Sequence, residues 1–379
     1  MVRYGEWADG VICKIRQKME WCSEKNKEKL PYTTDAQGNY NDCGAENDGY
    51  GVGWWTNGFW GGTMWLLYRD TKEERYKEAA RLCGARLNRC FDGFYGLNHD
   101  VGFMYMPTAV ADYRLTGNRE ARKWGLHAAN LLAGRFNPAG RFIRAWDGWG
   151  NADTTGWAII DCMCNLSLLY WAGEETSDPR FGQIAMLHAD TARKHFVRPD
   201  GSVKHIIEFN PGTGEYVRSH GGQGYGHGSS WTRGQGWAVY GFMISYLHTK
   251  KPEYLETARK VADYCIAHIP ESGLVPVDFC QPREPAWEDS CGASIIAGGL
   301  IELAGALGEE EGEKYLGAAW KILNAIYEKR SDFGRGCDAI VQNCSAAYHD
   351  KEHHFPMNYA DYFFIEAVYK LKGTEFFMW

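Results

Sequence analysis

The chain has no stretch approaching the ~20 consecutive apolar residues that a membrane span requires. Its opening, Met1–Asp9, has no apolar core of signal-peptide length. It also lacks an excess of positive charge: the formal net charge is −7, which supplies no general attraction for phosphate backbones or anionic lipid surfaces. Neither nucleic acid nor a membrane is expected as a partner. The 12 Cys residues are scattered, with neither the density of a disulfide scaffold nor the paired spacing of zinc ligands. Their nearest approach, Cys162-Met163-Cys164, is one residue tighter than CxxC, and on a helix it points the two thiols to different faces. No HExxH-type spacing occurs either, so no metal and no cofactor is expected. These absences lead us to expect a soluble, reduced, cytoplasmic protein.

What the sequence does hold is aromatic side chains: 16 Trp, 22 Tyr and 17 Phe in 379 residues, with 45% of all residues hydrophobic. That is ample material for a large core. Length alone would divide such a chain into two or three domains of roughly 150 residues, a prior that closed barrels often break. An internal repeat decides for one domain over residues 1–379. An apolar helix ends in Tyr or Leu, a short polar turn follows, and an amphipathic helix begins that soon places an aromatic. The pattern occurs at Tyr68–Tyr76, Tyr113–Glu120, Tyr170–Phe181, Tyr246–Tyr254, Leu307–Tyr315 and Tyr369–Phe376.

The helix before each turn, such as Gly236–Tyr246 or Ala293–Leu303, is apolar on most faces and should be buried on both sides. The helix after each turn, such as Glu73–Arg89 or Glu253–His268, is charged on one face, with Tyr254, Ala258, Val261 and Cys265 at i, i+4, i+7 and i+11. Five complete pairs, a lone amphipathic helix near Trp7–Trp21 and a lone last helix over Asp361–Leu371 bring the count to twelve. Alternating buried and half-exposed helices close into a double ring, an all-α (α/α)6 barrel, with the first helix beside the last. The long links at 91–103, 136–156, 197–232, 269–289 and 330–358 then emerge at one end, where function is expected. Val203–Phe209, a turn at Asn210–Gly214, and Glu215–Arg218 read as one β-hairpin on that rim.

Several residues on this rim could carry chemistry. Asp161 lies in what reads as an apolar helix, Ala158–Leu166, where a carboxylate is costly unless paired or protonated. It is either structural or catalytic, and its place near the rim favours catalysis. Asp100, beside His99 and between glycines, fits a helix N-cap, and such a cap can still receive sugar hydroxyls. The glycine-dense segment Arg218–Trp237 lacks the Lys-Ser/Thr of a phosphate-binding loop. It offers instead Gln223, Arg233, Trp231 and Trp237: flat surfaces for a sugar ring and a fork for a carboxylate. Gly53–Trp60 adds another aromatic wall. Trp146–Trp149, His205, His220 and His227 complete the rim, with hydrogen bonding as the role we assign to its histidines.

At these residues the chain resembles the unsaturated glucuronyl hydrolases, glycoside hydrolase family 88. The resemblance runs through Trp55–Trp60, Asn98–Phe103, Ile159–Cys162 with Asn165, His205, Gln223-Gly224, Ser230–Trp237, Glu288–Ser290 with Ala293-Ser294, and Ala360–Tyr362, which is nearly the whole chain. It implies an (α/α)6 barrel that removes a 4,5-unsaturated uronic acid from the non-reducing end of lyase-generated oligosaccharides. By the same resemblance Asp161 is the general acid and base and Asp100 supports binding and catalysis, while Trp55, His99, His205, Gln223, Trp231, Arg233 and Trp237 line the subsite. Two departures stand out. Gly222 occupies a place where some members carry a basic or His side chain, and Ser345–Lys351 matches only part of the Ser- and Lys-containing stretch associated with sulfated substrates.

The implied chemistry agrees with the residues. One carboxyl group in an apolar setting favours its neutral form, can protonate C4 of an enol ether, and can then accept a proton from water. Arg233, with Gln223, is the candidate for holding the substrate carboxylate. The residues leave three other readings open: an unsaturated rhamnogalacturonyl hydrolase on pectin fragments, a sugar 2-epimerase, and a non-catalytic carbohydrate-binding protein. The epimerase would need His on inner helices, which carry few.

Overall fold

Most of the polar turns of the repeat mark a helix followed by a residue of positive φ. In a computed structural model, which describes residues 2–45, 51–93, 96–148, 150–374 and 378–379, the residues after five apolar helices are Lys72, Gly117, Ser177, Lys250 and Gly308, with φ of 60°, 75°, 55°, 57° and 81°. At the first four a left-handed helical residue closes the last turn and reverses the chain, while Gly308, with ψ of −179°, leaves the helix in an extended conformation open only to glycine. The next helix is then started by its own cap. The side chain of Asn118 accepts from the N–H groups of Glu120 and Ala121, that of Asp178 accepts from Arg180 N–H, and Pro179 and Pro252 stand where a helix needs no N–H donor. Phe376 and Trp149, two of the aromatics named above, lie outside the described residues.

The helices are α1 (Val2–Asn26), α2 (Gly58–Thr71), α3 (Glu74–Gly93), α4 (101–116), α5 (Arg119–Gly134), α6 (Cys162–Thr176), α7 (Pro179–His195), α8 (Thr232–Thr249), α9 (Pro252–His268), α10 (Ser290–Leu307), α11 (Glu309–Lys329) and α12 (Asn358–Leu371). The even-numbered helices touch in the order α2, α4, α6, α8, α10, α12 and back to α2, a closed inner ring. Each packs against an outer partner, and α1 packs on α12 to complete the sixth pair. The chain thus folds as an (α/α)6 barrel. Burial follows the expected pattern: every residue of α8 from Thr232 to Ser245 is buried, whereas α9 buries one stripe, including Tyr254, Ala258, Val261 and Cys265. α10 has the length and apolarity of a membrane crossing, with a mean hydropathy of 1.5, yet 78% of it is buried inside the ring. A core helix wrapped by others needs apolar residues all round for the same reason a membrane helix does.

The structure corrects two local expectations. Residues Trp157–Ile159, read as the start of an apolar helix, form strand β3, and α6 begins only at Cys162. β3 pairs antiparallel with β4 (Ile206–Phe209), which pairs with β5 (Tyr216–His220), so the expected rim hairpin is part of a three-stranded sheet. A second small sheet joins β1 (Phe136–Asn137) to β2 (Phe142–Ile143). Finally, α4 is interrupted by a π-helical turn at Met106–Val110, where Pro107 removes a backbone donor.

The floor of the ring is filled from the far end of the chain. Trp379, fully buried, stacks on Phe363 at 6.0 Å and also meets Phe59, Phe103 and Tyr240, so it joins α2, α4, α8 and α12 around the barrel axis. Its indole N–H donates to Glu366 at 2.9 Å, a buried carboxylate that also accepts from Tyr240 and Tyr362 and lies 3.8 Å from the Lys370 ammonium. Replacing Trp379 with Ala should leave a void and one fewer donor on Glu366. We expect a loss of about 3–5 kcal/mol in unfolding free energy, read by urea denaturation.

Candidate active site

Because every inner helix runs in the same sense, all six amino ends face one mouth, and that is where the candidate residues gather. Trp55 precedes α2, Asp100 stands at the N-cap of α4, Asp161 at that of α6, Trp231 at that of α8 and Asp289 at that of α10, while Tyr359 is the second residue of α12. All of these side chains except that of Asp289 line a cavity of about 810 Å³. Trp55, His99, Asp100, Asp161, Gln223, Trp231 and Arg233 line it. His205 and Trp237 do not reach its wall. His205 lies behind Trp231, ring to ring at 4.2 Å, and Trp237 is fully buried against Phe103 and Phe363.

The two aspartates sit at helix starts, yet neither side chain caps its helix. Both are nearly buried, at 7% exposure for Asp100 and 8% for Asp161. Oδ2 of Asp161 has no hydrogen-bond partner. Burial, opposed by the Arg233 charge, pushes its carboxyl up to about 7. Burial and the neighbouring Asp161 charge also raise Asp100 well above the carboxylate range, against a hydrogen bond from Asn165. Two histidines flank the pair, with His99 Nε2 3.4 Å from Asp100 and His205 Nε2 3.8 Å from Asp161. Burial holds both rings neutral, His205 down to about 3. The Gln223 N–H donates to His205 Nδ1 at 3.0 Å, so the ring's proton belongs on Nε2, facing Asp161.

Arg233 departs from its expected role. It is 1% exposed, its Nε donates to Asp289 at 3.0 Å, its Nη1 to Tyr359 at 2.6 Å, and its Nη2 to the Ser345 carbonyl. The fork expected for a substrate carboxylate is thus largely committed to the protein itself. Gln223 is similarly engaged, donating from Nε2 to the Ala346 carbonyl at 2.8 Å. Asp278, fully buried, pins the glycine-rich loop by accepting from the N–H groups of Tyr225 and Ser230 and from Ser229 Oγ. At Gly222 the backbone is left-handed, φ +57°, and a Cβ there would overlap Nδ1 of His205. The departure noted at this position is therefore required by the fold of the loop.

Sequence reasoning left Tyr359, Tyr32, His349 and Asp350 out of the cavity wall, where the structure places them beside Trp54 of the expected aromatic wall. It also gave no role to Asn165, although that amide lies one helical turn beyond Asp161 on the same face. Its Oδ1 accepts the Phe103 N–H at 2.7 Å and its Nδ2 reaches Asp100 at 3.4 Å.

A buried carboxyl pair in an aromatic-walled cavity at the mouth of a helical ring is the equipment of a carbohydrate-cleaving hydrolase. The family model described as Glycosyl Hydrolase Family 88 matches residues 15–367, and the chain belongs to that family. It is 35% identical to an unsaturated glucuronyl hydrolase from Bacillus sp. (strain GL1) over 357 residues, 92% of each chain. It is 30% identical to an unsaturated chondroitin disaccharide hydrolase from Streptococcus pyogenes serotype M1, over 83% of this chain and 80% of that one. The crystal structure of the Bacillus sp. GL1 enzyme, described as responsible for the degradation of glycosaminoglycan, matches with a TM-score of 0.88 at 33% identity, covering 94% of this chain and 96% of that one.

Substituting Gly222 with Ala should displace His205 from the Gln223 N–H and from Asp161. We expect hydrolase activity to fall by about tenfold or more while the circular dichroism spectrum stays unchanged.

Proposed function

We propose that this protein removes a 4,5-unsaturated uronic acid from the non-reducing end of lyase-generated oligosaccharides, glycosaminoglycan disaccharides among them. The observation that carries this reading is the carboxyl of Asp161, raised to about 7 by burial, open to the cavity and without a hydrogen-bond partner on Oδ2. A group with these properties is a proton donor at neutral pH. The relatives named for unsaturated glucuronyl and chondroitin disaccharide substrates support the substrate class.

In this mechanism the C4=C5 double bond and the ring oxygen form an enol ether. Asp161 protonates C4, and positive charge develops at C5 and the ring oxygen. Water adds at C5, giving its proton to the Asp161 carboxylate. The resulting hemiketal opens to a C5 ketone, and the hemiacetal left at C1 collapses to an aldehyde and releases the aglycone. One water is consumed and one carboxyl performs both proton steps, unlike hydrolysis by two carboxyl groups flanking the glycosidic bond. Asp100, the second carboxyl of the pair, supports substrate binding beside it. The substrate carboxylate lies among helix amino ends and neutral N–H donors such as the buried indole of Trp231, with Arg233 contributing its field. Sugar 2-epimerase chemistry fits less well, because the cavity's histidines, His99 and His349, come from links and not from inner helices. Neither nucleic acid nor a membrane enters this reading.

The test is loss of the ultraviolet absorbance of the conjugated double bond on a panel of chondroitin, hyaluronan, heparin, gellan and pectin disaccharides. Absence of turnover across the panel would refute the reaction, and turnover confined to rhamnose-linked pectin fragments would replace it with rhamnogalacturonyl hydrolysis. In heavy water, deuterium should appear at C4 of the released keto sugar. Asp161→Asn should cut kcat by about 10³-fold. Because Asp161 must carry its proton to act, and its carboxyl is raised to about 7, kcat should decline as pH rises through that value.

A further inference from the structure

We propose that a second cavity, on the flank of the mouth, holds the sugars of the substrate that lie beyond the one joined to the unsaturated uronate, and that the sugars it takes are uncharged. The inference rests on the reading of the cavity around Asp161 as the place where that uronate is removed.

The second cavity, of about 1000 Å³, lies between the end of α3 and the last two turns of α5. It shares Gly96, Asn98, Trp146 and Gly148 with the cavity around Asp161, so the two meet along a common sill made by two links. A small cavity behind Trp231 also adjoins the site, but at about 10 Å³ it has room for one water. An oligosaccharide whose terminal unit is held against Asp161 has to run out of the first cavity. The second continues it and is large enough for a ligand of several rings.

Its lining has the chemistry of a sugar subsite. Phe91, His127 and Trp146 supply rings, and Asn98 and Asn130 supply amides. Among the described residues its wall holds one arginine, Arg135, one carboxylate, Asp147, and no lysine. These two charges are paired: Nη1 and Nη2 of Arg135 donate to Asp147 at 3.2 and 3.0 Å. Arg135 also donates from Nε to the Arg144 carbonyl and from Nη2 to the Ala145 carbonyl, each at 3.0 Å. The guanidinium is thus spent on the protein, and the exposed Asp147 carboxylate repels a sulfate or a second uronate. Neutral sugars suit such a wall.

The same hydrogen bonds fix the sill. Arg135 grips residues on both sides of Trp146, and the Ala145 carbonyl also accepts the His99 N–H at 3.2 Å. Trp146, whose ring meets that of His99 edge-on at 5.8 Å, is therefore held in place between the two cavities. A sugar that stacks on it needs no ordering of the indole.

The experiment is calorimetric binding to the Asp161→Asn protein, in which turnover is slowed. The probes are a gellan-derived unsaturated tetrasaccharide, with three neutral sugars after the uronate, a chondroitin tetrasaccharide, whose third unit is a uronate, and the unsaturated disaccharide of each. The neutral tetrasaccharide should bind about tenfold more tightly than its disaccharide, and equal affinities overturn the proposal. The chondroitin tetrasaccharide should gain less over its own disaccharide, and an equal or larger gain overturns the assignment to uncharged sugars. Gly134 lines the second cavity, and a Cβ there would meet nothing within 4 Å, so Gly134→Trp fills the space from α5. In that variant, and in Asn130→Trp one turn earlier on the same exposed face, the tenfold preference should fall to within about twofold. A preference that survives both variants overturns the proposal. Because binding needs no turnover, a protein that hydrolyses no unsaturated uronide would refute the reaction and leave the length preference to decide this inference.

Discussion

Six helices that all point their amino ends at one mouth create the condition on which the site depends. Each end carries about half a positive charge and several unpaired N–H groups, and parallel packing concentrates them in one place. A protein with a net charge of −7 can in this way present a locally favourable site to an anion. The ends need negative partners when no ligand is bound, and aspartates stand at three of the N-caps: Asp100, Asp161 and Asp289. Only Asp289 caps with its side chain, accepting from the Cys291 N–H, while its other oxygen takes Arg233. The other two leave their carboxyls directed at the cavity.

For those two, the helix ends and burial pull in opposite directions, and magnitude decides. A favourable helix end is worth roughly 0.3–2 kcal/mol to a carboxylate. A rise of the Asp161 pKa from 3.8 to about 7 corresponds to roughly 4 kcal/mol against the charged form. Burial wins, and the carboxyl keeps its proton near neutral pH without leaving the electropositive mouth. That combination suits the proposed cycle: a neutral acid before the reaction, and an ion that becomes tolerable once positive charge has developed on the sugar beside it.

Much of this was legible in the sequence because it is local. The turns after α2, α4, α6, α8 and α10 are set by a few consecutive residues, and the contrast between all-round apolar and one-sided helices is a property of each segment alone. What depends on distant partners was harder to see. Trp157–Ile159 is short and apolar, and periodicity does not distinguish a buried strand from a helical turn. Its pairing partner, Ile206–Phe209, lies some way along the chain. Arg233 resembles a free fork until Asp289, Tyr359 and Ser345 are brought to it. Asn165 looked like one polar residue in an apolar run, since its value lies in the Phe103 N–H that it meets across two helices.

The fate of Arg233 follows from the same geometry. Closing the ring at the mouth brings together the starts of α8, α10 and α12, and the guanidinium ties them to one another through Asp289, Tyr359 and the Ser345 carbonyl. A buried ion pair of this kind adds little net stability, because desolvation cancels most of the attraction, yet removing either partner strands a charge. Its effect is positional: it holds Tyr359 and the 345–350 link against the cavity while most of its own charge is spent on Asp289. A fully free guanidinium at this place would act far more strongly on Asp161, favour the carboxylate, and deprive the site of its proton donor. Pairing Arg233 with Asp289 therefore serves the acid as much as it serves the wall.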